Sequence, residues 1–308
     1  MSSLSIVMYH YVRDNKKSYF SNLNTLDIQE FKNQIYYLNK NYQIISYDEF
    51  VYATLNKKKL PKDSCMLTFD DGYKDHVNYV LPELAKNKIS GFFFPVGSTV
   101  MENTVLDINI IHAIQAQSVS DQSLYTDLNN LLLKNGYSDK DIQNLVKKFL
   151  YKGRYDSKYV RYFKEVIQNL KRDKLKNKIL KILFKKYIEI DFESFSKSLY
   201  LSKMDIKELK KNGMYIGGHG YTHQRLEYLN QSMQIREINK TINFLNSINS
   251  PKDNWIMCYP FGSYNSTTIK LLKKKKCIAG MTVKVGKNKI NNLNLYELKR
   301  FDTNDFKK

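Results

Sequence analysis

Cysteine is scarce and unpaired in this chain of 308 residues: Cys65, Cys258 and Cys277 are scattered and odd in number. That excludes a disulfide framework or a cysteine-based metal cluster as the organising device, and it suits a reducing compartment. Long apolar runs are missing as well. None approaches the roughly 20 residues needed to span a bilayer. The N-terminal M-S-S-L-S-I-V-M-Y-H-Y has neither the basic start nor the long apolar stretch of a signal peptide. These absences predict a cytoplasmic protein, peripheral at the inner membrane surface if it touches a membrane at all. Histidine is limited to five residues, so any two placed close together stand out.

Acidic residues are outnumbered, 30 against 50 Lys and Arg, for a formal net charge of +20. Residues 147–186 hold 15 Lys or Arg against 3 Asp or Glu, a net of +12. A basic stripe of that kind attracts phosphates, an anionic membrane or an acidic polymer. The plainer reading is a set of solvated helix faces. No nucleic-acid recognition motif accompanies the charge, and no nucleic-acid partner is expected. Hydrophobic content of 42% and aromatic content of 13% are enough for a sizeable core.

Short apolar runs alternate with helical periodicity. Strands are expected at residues 5–10, 42–47, 66–71, 90–96, 214–218, 255–259, 278–283 and 296–300. Helices are expected at 27–39, 48–55, 73–87 (with Pro82 inside), 205–212, 232–245 and 267–275. This alternation argues an α/β fold with parallel strands. Residues 101–201 break the pattern. They carry no convincing strand and read as helices at 107–117, 121–134, 139–151 and a helix or helix pair at 155–187. The expected organisation is therefore an α/β domain of residues 1–100 and 202–308, with residues 101–201 as a helical insertion serving as lid, substrate collar or membrane-facing surface.

The chemistry gathers at strand ends. Met66–Gly72 reads M-L-T-F-D-D-G, an apolar strand that ends in two carboxylates and a glycine. Neighbouring side chains diverge on a strand, so Asp70 and Asp71 can take different tasks, one binding a metal and the other accepting a proton. Taken alone, Asp-Asp-Gly also fits a helix N-cap or a turn. His219 and His223 form H-G-Y-T-H after a Gly-Gly strand end. At a spacing of four they can share an ion, with a carboxylate as third ligand. Neutral imidazole suits zinc, nickel, cobalt or iron.

Three segments, Thr68–Gly72, His219–His223 and Tyr259-Pro260-Phe261-Gly262, resemble the successive motifs of the polysaccharide deacetylase family, carbohydrate esterase family 4. The likeness runs over about residues 1–100 and 200–308, with the inserted helices outside it. It implies a distorted (β/α)7-type barrel with a large all-helical insertion. It also implies a divalent metal, usually Zn2+ with Co2+, Ni2+ or Fe2+ as alternatives, and removal of an acetyl group from an N-acetylated sugar of a bacterial surface polysaccharide. With no export signal seen, the expected substrate is a cytoplasmic sugar precursor, nucleotide-linked or lipid-linked, whose phosphates the lysine-rich helices suit, as they suit peripheral contact with an anionic membrane. The alternatives are hydrolysis of another non-peptide amide or a sugar O-acetyl ester, and a non-catalytic barrel that binds glycan or membrane.

The resemblance assigns Asp71, His219 and His223 to the metal, Asp70 to the general base and the Phe261 amide to the oxyanion. The family usually carries its general-acid histidine late in the chain, yet no histidine follows His223. A circularly permuted subset carries it in an N-terminal Tyr-His motif. Met8-Tyr9-His10-Tyr11-Val12 is similar to that motif, which makes His10 the expected acid. Cys258 stands where the family usually has arginine. Arg300 is the expected replacement, orienting Asp70, with Asp302 or Asp305 holding the His10 ring. Tyr73 and Tyr221 flank the motifs and suit stacking on a sugar. His76 is expected to face solvent, and His112 to be core or surface.

Overall fold

The computed structural model describes residues 3–14, 23, 25–153, 156–170, 173–289 and 293–306. The chain divides into two compact units. One comprises Met1–Asn15, Thr25–Thr104 and Phe195–Lys308; the other comprises Val105–Ser194 with Lys16–Asn24, most of the latter stretch lying outside the described residues.

The first unit is the α/β unit. Its strands are β1 (Ser3–Tyr9), β2 (Val12–Arg13), β3 (Leu26–Asp27), β4 (Gln43–Ile44), β5 (Ser64–Asp71), β6 (Phe92–Pro95), β7 (Tyr215–Ile216), β8 (Trp255–Cys258), β9 (Cys277–Met281), β10 (Asn288–Lys289) and β11 (Phe301–Asp302). Its helices are α1 (Ile28–Asn41), α2 (Tyr47–Leu55), α3 (Leu81–Lys86) and α4 (Gly97–Glu102). After the second unit's α5 (Asp107–Gln117), α6 (Asp121–Leu133), α7 (Asp139–Phe149), α8 (Lys158–Asn169) and α9 (Asp173–Tyr187) come α10 (Phe192–Leu199), α11 (Lys203–Lys211), α12 (Gln231–Ser247) and α13 (Ser266–Lys274).

The main sheet runs β10-β1-β5-β6-β7, with β11 on β1 and β4 on β5. Its pairs are parallel except β1 with β10. A parallel β8–β9 pair stands beside it. Two isolated parallel bridges, Gly218–Met257 and Met281–Leu298, carry backbone pairing from β7 to β8 and from β9 to the segment before β11. The barrel-like arrangement is thus stitched by single bridges at these two joints.

Central strands buried on both sides explain the unbroken apolar runs. Residues alternate between two apolar clusters along β1, β5 and β6. Val7, Tyr9, Cys65, Leu67, Phe69 and Phe93 join one cluster with Phe31, Ile35 and Leu38 of α1. Leu4, Ile6, Met66, Phe92 and Phe94 join the other with Ile256, Cys258, Met281 and Leu298. Thr68 and Asp70 follow the parity of Met66, so both side chains enter the second cluster's side. On the first side, Tyr9, Phe69 and Phe93 stack at centroid distances of 5.0 and 4.7 Å.

Several elements differ from the sequence reading. The strand expected at 42–47 is only Gln43–Ile44, because Ser46 and Glu49 form a capping box that starts α2. The helix expected over 73–87 is a π-turn, His76–Val80, followed by α3 with its proline in the first turn. There the missing N–H does no harm. The strand expected at 296–300 contributes only the Leu298 bridge, and pairing with β1 falls on Phe301–Asp302.

Among the described residues the second unit is helical. Tyr125 of α6 packs on Tyr159 and Tyr162 of α8, and the Tyr162 hydroxyl donates to the Asn129 side chain. The long helical pattern expected over 155–187 is two helices, α8 and α9. Part of the basic run is spent inside the unit: Lys164 pairs with Asp156, Lys176 with Asp107 and Lys186 with Asp127. No helix among the described residues is long and apolar enough to cross a membrane.

Candidate active site

Strand register delivers the site. Tyr9 lies opposite Phe69, which puts His10 level with Asp70 as β1 and β5 end. Phe93 lies opposite Ile216, and the chain runs on through Gly217 and Gly218 to His219. Gly218 is bridged to Met257, which brings Cys258 alongside His219. Met281 is bridged to Leu298, and Arg300 follows. The functional side chains thus leave the carboxyl ends of parallel strands, where barrel sites form.

Asp71 Oδ1 lies 3.3 Å from Nε2 of His219 and 3.3 Å from Nε2 of His223. The two imidazole nitrogens are 3.2 Å apart. His219 Nδ1 sits 2.9 Å from the Cys258 carbonyl. Only an N–H can donate to that oxygen, so in the neutral ring Nε2 is the nitrogen left free to bind a cation. Asp71 Oδ1 is buried without a hydrogen-bond partner, whereas Oδ2 accepts from the Tyr73 hydroxyl at 2.7 Å. Three donor atoms therefore converge on one point. Two ligand bonds of about 2.0–2.1 Å at a tetrahedral angle separate their donors by about 3.3 Å. One carboxylate and two imidazoles at this spacing fit a zinc-like divalent cation.

The electrostatics agree. Burial by itself raises the Asp71 carboxyl, but the two imidazoles pull it well below the usual carboxylate range. Burial also lowers both imidazoles. It prevails for His223, while Cys258, Asp71 and Asp70 outweigh it at His219, whose pKa stands well above the ordinary value. The cluster is built to hold positive charge.

Asp70, 1% exposed, plays a different part. Arg300 Nη1 donates to its Oδ1 at 2.9 Å and Nη2 to its Oδ2 at 2.8 Å. The guanidinium is anchored further by Nε to the Thr282 carbonyl and Nη1 to the Thr68 hydroxyl. Burial would raise the Asp70 carboxyl, yet Arg300 and then His219 hold it down to about 2. Asp70, His219 and Cys258 also cluster closely enough to hold an ion, but Arg300 already supplies the cation for Asp70. His10 Nε2 stands 4.0 Å from Asp70 Oδ2, with its side chain 40% exposed and so open to a substrate.

Left-handed backbone concentrates here. Asp71 (φ 69), His223 (φ 57) and Phe261 (φ 57) all adopt a region unfavourable to residues with a Cβ. Each stands at or near a strand or motif end where the chain turns sharply, and such strain collects at functional sites. Gly72 (φ 75) completes the first turn, since a Cβ there would meet Pro95 Cβ at 2.6 Å. The Phe261 ring is tilted against His223 with centroids 4.6 Å apart, and the Arg225 guanidinium stands 4.3 Å from the Phe261 centroid.

Other expectations need correction. Asp302 does not hold His10: its Oδ1 accepts from the backbone and side-chain N–H groups of Asn304, while Asp305 accepts from the Asp302 backbone. Both carboxylates shape a local turn. Tyr73 is 1% exposed, stacked 4.0 Å from Tyr11, and cannot offer a face to a sugar. Its hydroxyl instead fixes Asp71. His76 is fully buried, packed edge-on against Phe69, Tyr73 and Phe93, with Nε2 2.9 Å from the His10 carbonyl. Burial drives its pKa down to about 4. Its spacing of four and eight from Val80 and Leu84 was the available sign of a core position. Tyr221 is half-buried and its hydroxyl donates to Glu102. Glu237 of α12, buried against the His219–His223 loop, was not anticipated.

Comparison with known proteins agrees with this geometry. The polysaccharide deacetylase family model matches residues 57–148 and 154–278. The match runs through the inserted helices, where the motif likeness had a gap. It takes in Asp70, Asp71, His219, His223 and Phe261, and leaves out His10 and Arg300. No curated protein matches. Among solved structures, the Streptococcus pyogenes deacetylase PplD in complex with acetate is 18% identical, with a TM-score of 0.59 over 97% of this chain and 92% of that one. A de-N-acetylase from Aggregatibacter actinomycetemcomitans is 15% identical, with a TM-score of 0.57 over 98% and 96%. IcaB from Ammonifex degensii is 15% identical, with a TM-score of 0.55 over 97% and 91%. At such identities these likenesses establish the shared α/β fold. The chain, matched by the family model over more than half its length, belongs to the polysaccharide deacetylase family.

Proposed function

We propose that the protein is a divalent-metal-dependent hydrolase that removes the acetyl group from an N-acetylated sugar of a bacterial surface polysaccharide or of its precursor. One observation carries the reading: Asp71 Oδ1 and the Nε2 atoms of His219 and His223 face one another at 3.2–3.3 Å beside an Arg300-held Asp70.

Asp71, His219 and His223 would hold the ion. When bound, a divalent ion there acts as a Lewis acid that acidifies water and steadies negative charge on the acetyl oxygen. The chain's own groups do the rest. Asp70 stays ionised across the working pH range, and its fixed carboxylate accepts the proton of the attacking water. The His10 ring, open to solvent on one side, donates a proton to the leaving nitrogen as the C–N bond breaks. The products are acetate and the free amine. The Phe261 amide supplies a further N–H for the oxyanion. The second unit's surplus of lysine supports a phosphate-linked sugar or a nearby anionic surface, and free, nucleotide-linked and lipid-linked acetylated sugars would separate these.

A non-catalytic glycan binder is disfavoured. Such a protein has no use for a buried, arginine-fixed carboxylate next to a cation site, nor for backbone strain at Asp71 and His223. The test is metal content and acetate release in variants. Asp70→Asn is expected to keep its metal and lose acetate release, and His219→Ala to lose both. Equal metal loss in the two variants would refute the separate roles.

A further inference from the structure

Each proposed ligand must aim one atom at a common point, and two of the three have an evident holder. Tyr73 donates to Asp71, and the Cys258 carbonyl takes His219 Nδ1. Among the described residues no carbonyl or carboxylate takes the second ring nitrogen of His223. Its aim comes from the Phe261 ring packed against it and from its backbone, which turns left-handed at φ 57.

We propose that Glu237 is the positioning residue for His223, acting by clamping the loop between the two histidines. Glu237 Oε1 accepts from the backbone N–H of Tyr221 at 2.7 Å and of Thr222 at 2.6 Å, and Oε2 accepts from the Thr222 hydroxyl at 3.0 Å. The loop's carbonyls are taken from the other side. Gly97 and Ser98, at the start of α4, donate their N–H groups to the carbonyls of Gly220 and Tyr221 at 3.2 and 2.8 Å. Helices α12 and α4 thus hold both edges of one short loop. The approach is close on both sides: a Cβ on Gly220 would lie 3.2 Å from Glu237 Oε1, and one on Gly97 would meet the Tyr221 ring at 2.5 Å.

Glu237 is only 6% exposed, and among the described residues no Lys or Arg pairs with it. A buried carboxylate without a counter-ion is costly unless its hydrogen bonds are strong. Here all three bonds go to the loop, and charge-assisted bonds of this kind are short and directional. The arrangement spends a buried charge on the geometry of five residues that begin and end with a histidine. Groups behind metal ligands orient them, and their loss weakens metal binding without removing a ligand.

The inference rests on the metal reading above, and its test separates the two. The zinc affinity of the whole chain is measured by competition with a chromophoric chelator. The visible spectrum of the cobalt-loaded protein reports ligand geometry. Glu237→Ala is expected to bind zinc about 10–100-fold more weakly, with an altered cobalt spectrum. Glu237→Gln keeps an acceptor for both N–H groups and should recover most of the loss. Wild-type affinity and an unchanged cobalt spectrum in folded Glu237→Ala would overturn the role of Glu237 while leaving the metal reading intact. If Glu237→Ala fails to fold by circular dichroism, Thr222→Val serves instead. A weaker zinc affinity in that variant supports the clamp, and an unchanged one overturns it. Absence of zinc binding by the wild-type chain would overturn the metal reading, and the clamp with it.

Discussion

The guanidinium of Arg300 forks onto the carboxylate of Asp70 across 230 positions of sequence, with one N–H on each oxygen at 2.9 and 2.8 Å. We propose that this pair takes the place of the arginine that the third motif lacks at Cys258. The Cys258 thiol is left beside the same carboxylate, 3.3 Å from Oδ2. The bidentate fit fixes the plane of the carboxylate and leaves His10 on its open side.

Removing one member of a buried pair strands the other, and such losses run to about 3–5 kcal/mol. Arg300→Met is therefore expected to lose stability of that size, read as a lower urea midpoint at neutral pH with m unchanged. Arg300→Lys keeps a charge but cannot fork. It should fold, retain zinc and release acetate much more slowly. Full acetate release by Arg300→Lys would show that the orientation of Asp70 does not matter.

In the proposed mechanism His10 protonates the leaving nitrogen, a task that an ester with a good leaving group does not need. His10→Ala should slow release of acetate from an N-acetylated sugar by about 10²–10⁴-fold. With 4-nitrophenyl acetate it should stay close to the wild type. Equal losses on amide and ester would place His10 in binding or structure. A wild-type preference for O-acetyl sugars over N-acetyl sugars would favour the ester reading.

His76 ties stability to pH. Its folded pKa is lowered to about 4 from an ordinary value of 6.5, so between these values the unfolded chain binds the proton that the folded core refuses. Stability is then complete above about 6.5 and falls as the pH drops toward 4, by roughly 3 kcal/mol from this residue. His76→Gln can still donate to the His10 carbonyl but does not titrate. Denaturation midpoints measured from pH 7 to pH 4 should fall less steeply in this variant than in the wild type. Identical slopes would place the acid sensitivity elsewhere.

Much of the site was readable before the fold. Asp70 with Asp71, and His219 with His223, lie in contiguous motifs whose chemistry depends on spacing along a few residues. The alternation of apolar runs with helical periods likewise marked the parallel strands, because a strand buried on both sides must be apolar at nearly every position. The short elements were less legible. A capping box at Ser46 ended one expected strand early, and a π-turn at His76 moved the start of a helix.

The sequence by itself determined which residue types were available for the chemistry and that they stood at strand ends. Tertiary structure alone decided their partners. Arg300 reaches Asp70, Asp302 does not reach His10, Tyr73 turns inward to Asp71, and Glu237 holds the histidine loop. For the residues on or next to strands these choices follow from strand register and from which side of a strand each occupies, and for Glu237 from the packing of helix α12 against the histidine loop. A shift of one residue would send a strand's side chains to the opposite face, and no local pattern in the chain encodes the alignment of one strand with another.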